Sequence, residues 1–430
     1  MKLAVIGAGW AGLAAAIHAL RQGHDVHVYE AAAAAGGRAR NIRNPALATA
    51  TDNGQHILLG AYHASLGMMA QLGVDPQSAF YRYPLNLQSA DQSLRLSFWP
   101  LPAPFHQLGV MFGSKGLQGW RGRLHLKRVL QSLDNPVIPA DMNAALWLQQ
   151  LGCPPRLQNV LWAPLCLAAT NTALEHTDAR LLAHLLAKSL GAHPGDSDLL
   201  IPRGHLHDLW PRQACEQLGD RLSRERITQL QAGPANTWYL NGKCHDRVIV
   251  ATSAREARRL LSPLPGANLW LDTWPLPQMA AIGTLSLRLS RPWNSGHAML
   301  LLQDNPARQA WGQWMFDASA YANTAEARSM AHIVIGRAQR YADTAPDTIF
   351  NGVLQQIRDQ AKHPLPAVEQ WSLITEKHAT FDVVPGLKRP GTEPPWPGLY
   401  LAGDWTDTGF PAVLEGAVRS GLKAAQQATE

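Results

Sequence analysis

A glycine-rich turn near the amino terminus constrains the fold more than any other feature of this sequence. The apolar run 3–6 predicts a short buried strand, Gly7, Gly9 and Gly12 follow it, and an alanine-rich helix is predicted over 13–20. In such a unit the first glycine permits the tight turn, the second removes a side chain that would block a pyrophosphate, and the third lets the helix pack close to the strand. The helix amino terminus then faces phosphate. The sequence therefore predicts an α/β fold that binds a dinucleotide.

A second predicted strand, over 25–29, ends in an acidic residue. The carboxylate of Glu30 can accept hydrogen bonds from both hydroxyls of a ribose, and its charge disfavours a 2′-phosphate. Gly36, Gly37 and Arg38 follow soon after. They either bring backbone N–H groups and a guanidinium to a diphosphate or form an ordinary surface turn with a solvated arginine.

The carboxy-terminal region repeats the strand, turn and helix arrangement. A predicted strand over 398–402 leads into Gly403 and Asp404, and after Pro411 a helix with small residues on one face runs to Gly421. A second helix amino terminus is thereby aimed at an electron-rich group, and Asp404 would lie at the carboxyl end of a strand, where open α/β sheets bind ligands. The alternative is a terminal strand and helix that only complete the sheet.

Both ends of the chain, together with one internal stretch, resemble a known family. The motifs are Gly7-Ala-Gly-Trp-Ala-Gly-Leu13, Asp52-Asn-Gly-Gln-His56 with Leu59-Gly-Ala-Tyr62, Ala402-Gly-Asp-Trp-Thr406 and Leu414-Glu-Gly-Ala-Val-Arg-Ser-Gly421. They are similar to motifs of the flavin-dependent amine oxidase and phytoene desaturase superfamily. More narrowly, they resemble its squalene-associated desaturase branch, which includes the hydroxysqualene dehydroxylases of hopanoid biosynthesis.

The resemblance implies a glutathione-reductase-like, Rossmann-type FAD domain that is discontinuous in sequence, with an inserted α+β substrate domain made of a mixed sheet and helices. The FAD domain would take residues 1–83, 201–265 and 391–430, and the substrate domain residues 84–200 and 266–390. Helical apolar spacing over 141–152, 156–171, 179–190 and 345–361, and strand-like runs over 283–289, 298–302, 331–336 and 371–380, predict elements of the second domain.

The resemblance also implies where FAD binds. The adenosine half would lie against Gly7, Gly9, Gly12 and Glu30, the diphosphate and ribityl chain against Gly37, Arg38, Gly403 and Asp404, the adenine near Val248, and the flavin edge at the backbone amides of Ala412 and Val413. Only one dinucleotide fingerprint is visible in the sequence. We therefore expect NADPH or NADH to act as a transient electron donor at the flavin face, or another reductant to replace it.

The choice of substrate follows partly from the residues and partly from the resemblance. Val413 takes the place of an aromatic-cage residue and no cysteine follows Cys244, which argues against an amine substrate. A charged fraction of only 16% and 15 tryptophans suit a long hydrocarbon, whose apolar burial supplies binding. The resemblance implies reductive removal of the hydroxyl of hydroxysqualene, giving squalene and water.

Hydroxide is a poor leaving group, so this reaction needs an acid that protonates it as the C–O bond breaks. The candidates are Asp52 and His56, in the stretch expected near the flavin, and Asp407, close to Asp404. Each has a structural alternative: Asp52 caps a turn, His56 is a satisfied core histidine, and Asp407 caps the final helix.

The segment 84–135 is unlike the rest of the chain. The run 98–105 is rich in proline and aromatic residues, 108–112 is apolar, and cations cluster from Lys115 to Arg128. This combination suits either monotopic contact with an anionic bilayer or a proline-rich cap loop followed by an exposed basic helix. With the former, we expect a cytoplasmic protein, peripheral at the inner face of the membrane, and association with synthases of the squalene pathway.

Composition and the remaining alternatives complete the predictions. The four cysteines lack disulfide-framework or metal-ligand spacing, so no metal site is predicted and a reducing compartment fits best. The formal charge of +6 comes without a recognised nucleic-acid module, so no nucleic-acid partner is predicted. A polyene or isoprenoid desaturase remains an alternative, as does a non-catalytic prenyl-binding protein on the same fold, similar to GDP-dissociation inhibitors.

Overall fold

The computed structural model describes residues 1–47, 49–97, 109–133, 137–190, 193 and 195–430. Its strands are β1 (Lys2–Ile6), β2 (Asp25–Tyr29), β3 (Asn41–Asn44), β4 (Thr49–Asp52), β5 (Leu58–Leu59), β6 (Phe80–Tyr83), β7 (Asn86–Gln88), β8 (Arg95–Ser97), β9 (Leu199–Pro202), β10 (Leu222–Ser223), β11 (Leu230–Ala232), β12 (Trp238–Leu240), β13 (Lys243–His245), β14 (Arg247–Val250), β15 (Met279–Leu289), β16 (Met299–Leu301), β17 (Trp314–Asp317), β18 (Met330–Gly336), β19 (Val368–Phe381) and β20 (Leu399–Leu401).

The helices lie between these strands, singly or in runs such as α4 to α8, and the last one ends the chain. They are α1 (Trp10–Arg21), α2 (His63–Gln71), α3 (Pro76–Ala79), α4 (Gly119–Leu133), α5 (Ala144–Gln150), α6 (Pro155–Leu157), α7 (Ala163–Thr170), α8 (Ala179–Ser189), α9 (Leu206–Leu209), α10 (Pro211–Leu218), α11 (Ala254–Leu261), α12 (Ala267–Leu271), α13 (Ala325–Arg328), α14 (Pro346–Gln360) and α15 (Leu414–Thr429). Within the described ranges, no helix has both the length and the apolar character that a bilayer crossing requires.

A five-stranded parallel sheet combines distant parts of the chain. Its order is β10-β2-β1-β14-β20, so strands from the beginning, the middle and the end of the sequence lie side by side. The apolar residues of α1, α10 and α15 share one core with one face of this sheet, and the hairpin strands β11 to β13 pack with α11 and α12 against the other. The predicted discontinuous Rossmann-type domain is confirmed.

Small residues let the first and last helices approach closely. A methyl group placed on Gly421 of α15 would lie 2.0 Å from the Ala11 carbonyl oxygen of α1, which is possible only for hydrogen. The alanines of α1 are almost wholly buried in the same core. The helices therefore meet backbone to backbone, and this contact joins the two ends of the sequence.

A second five-stranded sheet has the order β16-β17-β18-β15-β19. All four of its strand pairings are antiparallel, so the expectation of a mixed sheet is wrong for its body. A parallel bridge between Ser89 and Leu301 joins the edge strand β16 to the β7–β8 hairpin, and the mixed character is confined to that edge. One face of the antiparallel sheet packs on α14 through residues such as Ile333 and Val353.

The predicted membrane segment is described only in part. Residues 98–108 and 134–136, which include the proline-rich run, lie outside the described residues. The basic stretch forms α4, whose inner face buries His125, Leu126 and Val129. Phe112 and Trp120 are 73% and 69% exposed. The predicted boundaries between the two domains, at 83, 200, 265 and 390, stay predictions.

Candidate active site

The amino-terminal turn has the backbone that its glycines predict. Gly7 adopts a φ of +104°, in the region that favours glycine. A methyl group on Gly12 would lie 1.9 Å from the Gly7 carbonyl oxygen, so only glycine lets α1 start so close to β1. At Gly9, by contrast, a methyl group would meet only the Gly37 Cα, at 3.8 Å. The space beside Gly9 is therefore open to a ligand, which a larger residue would fill.

Glu30 lies next to this turn. Its carboxylate accepts hydrogen bonds from the backbone N–H groups of Ala8 and Ala32, both at 2.7 Å. Each carboxylate oxygen has a second lone pair with which it can accept a ribose hydroxyl. The neighbouring Gly36 forms a parallel bridge with Gly9, so the loop that carries Arg38 lies directly against the glycine turn.

The carboxy-terminal motif reaches the same place. The Arg38 guanidinium donates to Asp404 Oδ1 at 2.5 Å, and Asp404 is 5% exposed. Gly403 precedes it with a φ of +146° and donates its N–H to the Ser420 hydroxyl of α15. Gly9, Arg38 and Asp404 thus border one cleft, at the carboxyl edge of the parallel sheet, although more than 350 residues separate the first and the last of them.

The backbone amides of Ala412 and Val413, which were predicted to contact the flavin edge, lie just before α15. Val413 is the residue before the helix, and its amide donates to the Pro411 carbonyl at 2.8 Å, so that N–H is already engaged. The predicted contact of a flavin with the Val413 amide therefore lacks support, while the Ala412 contact stays a prediction. The first N–H groups of the helix, from Leu414 onward, lack intrahelical partners, as at every helix start.

Val248 lies in a central strand of the parallel sheet. It lies inside β14, is fully buried, and pairs with Ala4 on one side and Leu399 on the other. Its side chain has no exposed surface and its backbone lies between two strands, and the adenine contact of Val248 stays a prediction.

A buried arginine that sequence reasoning missed braces the terminal loop. Arg389 donates to the Phe410 carbonyl at 2.6 Å, lies over the Phe381 ring, and pairs with Asp407 at 3.5 Å. Asp407 itself is 68% exposed, and α15 begins without a side-chain cap. Asp407 therefore neither caps the final helix nor lies inside the cleft. The sequence did not indicate that Arg389 is buried, because it lies in a proline-rich connector without a recognisable motif.

Asp52 lies at the end of β4, between the two sheets. It accepts hydrogen bonds from the Leu206 N–H at the start of α9, at 3.2 and 3.3 Å, and lies 3.8 Å from the His205 ring. Burial raises the pKa of its carboxyl to about 6, against the opposing effects of His205 and the Leu206 N–H. It caps a helix start rather than a turn, and its carboxyl takes up a proton at a higher pH than an exposed aspartate does.

The stretch after Asp52 crosses from the cleft to the antiparallel sheet. The Asn53 side chain donates to the Arg38 carbonyl, and a methyl group on Gly54 would lie 3.3 Å from His56 Nε2 and 3.7 Å from Thr284 Oγ1. The His56 ring makes no hydrogen bond with the described residues, and burial lowers its pKa to about 4. His56 is therefore not a satisfied core histidine but a neutral ring deep in the protein that keeps accessible surface.

The antiparallel sheet presents polar residues on the face opposite α14, which we call the site face. Neighbouring strands place residues in two rows across this face: Ser372, Ser286, His332, Phe316 and Met299 in the first, and Ile374, Thr284, Val334, Trp314 and Leu301 in the second. Thr284, Ser286 and His332 were missed by sequence reasoning. The available signal was a polar residue at every second position within otherwise apolar strands.

Comparisons with known proteins agree with this geometry. A family model described as flavin containing amine oxidoreductase matches residues 10–429. The hydroxysqualene dehydroxylase of Rhodopseudomonas palustris is 28% identical over 451 residues, covering 98% of this chain and 96% of that protein. The 15-cis-phytoene desaturase of Glycine max is 20% identical, covering 99% and 79%. Cyclohexylamine oxidase from Brevibacterium oxydans has a TM-score of 0.71 at 17% identity, covering 99% and 98%, and so shares the fold.

Proposed function

Since this chain belongs to the family of flavin-containing amine oxidoreductases and uses FAD, we propose that it removes the hydroxyl group of hydroxysqualene to give squalene and water. The observation that carries the proposal is the similarity to hydroxysqualene dehydroxylase over almost the full length of both proteins. Two features of the sequence that argue against an amine substrate agree with the proposal: Val413 in place of an aromatic-cage residue, and the lack of a cysteine after Cys244.

The residues present fit FAD. The open space beside Gly9 would take the diphosphate, Glu30 the ribose hydroxyls, and Arg38 and Asp404 the diphosphate and ribityl chain. FAD held there in its reduced form would supply a hydride for the new C–H bond, and a proton from an acid of the protein would let the hydroxyl oxygen leave as water. The two electrons then have to be restored by a donor, for which we propose a transiently bound NADPH or NADH.

Asp52 has the protonation behaviour that the leaving group needs. Asp407 is exposed and paired with a cation, and His56 is neutral at pH 7 because burial lowers its pKa to about 4. Asp52, whose pKa burial raises to about 6, is the candidate that can hold and release a proton close to physiological pH. We therefore assign the acid to Asp52 and leave to His56 a role in lining the site.

An apolar substrate suits the rest of the site face. Val334 and Ile374 are the apolar side chains of the two rows that keep accessible surface, while Phe316, Met299, Trp314 and Leu301, further along the rows, are buried in the apolar core that includes α5 and α8. Contact with such side chains provides binding in proportion to the apolar area removed from water.

Conversion of the pure compound tests the function. The holoenzyme is incubated with hydroxysqualene and NADPH under anaerobic conditions, and products are identified by mass spectrometry. We expect squalene, formed with an equal amount of oxidised donor. If hydroxysqualene is unchanged while phytoene loses hydrogen, the proposal is wrong and the desaturase alternative, supported by the similarity to 15-cis-phytoene desaturase, takes its place.

We also propose that the protein is cytoplasmic and rests on the inner face of the membrane, where its substrate and the synthases of the squalene pathway would be found. The support is that Phe112 is exposed and that Trp120 is exposed on the same helix, α4, as the exposed cations Arg121, Lys127 and Arg128. We expect wild-type protein to sediment with anionic vesicles, and Phe112→Ser/Trp120→Ser to lose this binding. Leu269→Ser, at an equally exposed site on α12, is the matched control. Equal sedimentation of all three proteins would contradict the proposal.

A further inference from the structure

Three polar side chains form a cluster on the site face. Ser286 of β15 is in register with His332 of β18, and its hydroxyl lies 2.9 Å from His332 Nδ1. Thr284 lies two residues before Ser286 on the same strand and therefore points to the same face. We call Thr284, Ser286 and His332 the hydroxyl cluster.

The hydroxyl cluster faces a space rather than a packed core. Along β18, Ala331, Ile333 and Ile335 are fully buried against α14, whereas His332 and Val334, which point the other way, keep accessible surface. This alternation indicates that the site face borders an internal cleft.

The side chain of Thr284 carries a buried hydroxyl group. Its residue is 4% exposed, and its hydroxyl is buried without a hydrogen-bond partner among the described residues. Leaving a buried hydroxyl unpaired costs about 1–3 kcal/mol, which a valine of the same shape would avoid. The hydroxyl is therefore better explained by a partner that arrives with a ligand.

The hydroxyl cluster lies across from the cofactor cleft. The position where Gly54 would carry a methyl group is 3.7 Å from Thr284 Oγ1, and the neighbouring Asn53 donates to the Arg38 carbonyl beside Asp404. The stretch 52–56 thus spans the distance between the cluster and the residues assigned to FAD. A substrate bound on the site face would therefore lie beside Gly54 and His56 of this stretch.

The chemistry of the cluster selects a hydroxyl group. When Ser286 donates to Nδ1 of the neutral imidazole, the His332 proton is on Nε2, which becomes a donor, while the Thr284 hydroxyl can both donate and accept. A hydrogen-bond donor beside a hydroxyl that can both donate and accept matches an alcohol. The partly accessible Val334 and Ile374, which flank Thr284 in the second row, match the hydrocarbon chain.

Thr284, Ser286 and the neutral His332 ring carry no charge that would bind a carboxylate or an amine. Arg288, two residues after Ser286 on the same face, is paired with Glu326 at 2.9 Å and donates to the Leu47 carbonyl.

We propose that Thr284, Ser286 and His332 bind the hydroxyl group of the isoprenoid alcohol, with Thr284 and His332 contacting it and Ser286 positioning His332. This inference rests on the proposed function. It makes the cluster the element that distinguishes the alcohol from the hydrocarbon product, so that the product leaves once its oxygen has gone.

Binding to holoenzyme in detergent micelles tests the inference. The probes are hydroxysqualene and squalene, and the readout is the ratio of their dissociation constants, obtained from changes in flavin absorbance. We expect the preference for hydroxysqualene to fall by about five- to tenfold in Thr284→Val and in His332→Leu, the effect of losing one hydrogen bond. His332→Gln, which keeps a donor, should restore part of the preference.

Thr284→Val separates ligand binding from folding. It removes an unpaired buried hydroxyl at constant shape, so thermal stability should be unchanged or higher while the preference falls. Thr375→Val on β19 of the same sheet, which is exposed and on the opposite face, is the matched control and should leave the preference unchanged. An unchanged ratio in Thr284→Val and His332→Leu with normal flavin content would overturn the inference.

The same samples distinguish this inference from the proposed function. If wild-type enzyme forms squalene but the variants keep the wild-type preference, the hydroxyl cluster is wrong and the function stands. If the variants lose the preference although wild-type enzyme forms no squalene, the cluster stands and the function is wrong.

Discussion

The two five-stranded sheets carry their functional groups in different places. In the parallel sheet these groups lie where strands end: the glycine turn after β1, Glu30 after β2 and Asp404 after β20. In the antiparallel sheet they lie within strands and on one face, at Thr284, Ser286 and His332. Strand ends offer backbone N–H groups to phosphate, whereas a sheet face offers spaced side chains to a long apolar molecule. The difference matches the ligands that we propose for the two sheets, a dinucleotide for the parallel one and an isoprenoid alcohol for the antiparallel one.

The largest expected effect lies at the junction of the two sheets, at Asp52. Asp52→Asn should lower the rate of squalene formation by about 10²–10⁴-fold, the usual contribution of an acid catalyst, while its amide oxygen still accepts from Leu206. Wild-type activity should fall as the pH rises through about 6, because the carboxyl loses its proton.

The pH dependence should disappear in Asp52→Asn. Asp407→Asn, at an exposed carboxylate, is the control and should have little effect on the rate. A wild-type rate in Asp52→Asn, or an inactive Asp407→Asn, would show that another residue is the acid. The region between the two sheets would then have no catalytic role through Asp52.

The next largest effect is on the free energy of unfolding, through the packing of helices on the parallel sheet. Gly12→Ala should lower the free energy of unfolding by about 1–3 kcal/mol, because its methyl group would lie 1.9 Å from the Gly7 carbonyl oxygen. Gly67→Ala on α2, where no atom lies within 4 Å, should instead raise it by about 0.5–1 kcal/mol. Denaturant unfolding measures both, and equal changes would show that the close approach of α1 to β1 is unimportant.

Gly9→Ala should separate cofactor binding from folding. The added methyl group makes only an ordinary 3.8 Å contact, so the stability of the apoprotein should be unchanged. Its position beside the turn should weaken FAD binding by roughly tenfold, equivalent to about 1.4 kcal/mol. Titration of apoprotein with FAD measures this, and undiminished affinity would mean that the diphosphate lies elsewhere along the strand ends.

The smallest effect concerns stability in acid. Burial lowers the pKa of His56 and of His332 from 6.5 to about 4, so between these values the unfolded chain binds protons that the folded protein does not. Both residues therefore destabilise the protein as the pH falls from 6.5 to 4. Asp52 acts in the opposite direction, since its raised pKa makes the folded state bind more protons between 3.8 and about 6.

Because burial also lowers the pKa of His245 to about 4, three histidines oppose the raised pKa of Asp52, and we expect net loss of stability on acidification. His332→Gln should reduce that loss by about 1 kcal/mol, a value discounted for the accessible surface of the ring. Unfolding free energies at pH 7 and pH 5 measure the change. A steeper dependence in the variant would mean that His332 is charged in the folded protein.

The same contrast explains how much the sequence could predict. The FAD cleft was predictable because Gly7, Gly9, Gly12 and Glu30 lie within 24 consecutive residues, and the backbone conformation of each motif is local. Helices such as α8 and α14 were predicted to within one or two residues from their apolar spacing. The burial of Val248 between two strands could not be predicted, because it depends on which strands pair with β14.

The site face could not be predicted for the same reason. Ser286 and His332 are 46 residues apart, and only strand register places their side chains together. β17 also went unpredicted, because Trp314–Asp317 is a short run without alternating polarity, although it carries Trp314 and Phe316. The antiparallel order of the sheet likewise depends on chain connections that no local pattern specifies.

The contact between Ala11 and Gly421 also has a temporal side. During synthesis on the ribosome, every strand of the antiparallel sheet emerges before β20 and α15 do. Until then β14 is the edge of an incomplete parallel sheet, with unpaired N–H and C=O groups along it and the apolar face of α1 uncovered. All strands of the antiparallel sheet are therefore synthesised before the parallel sheet is complete, and the FAD site can form only after the last thirty or so residues have been translated.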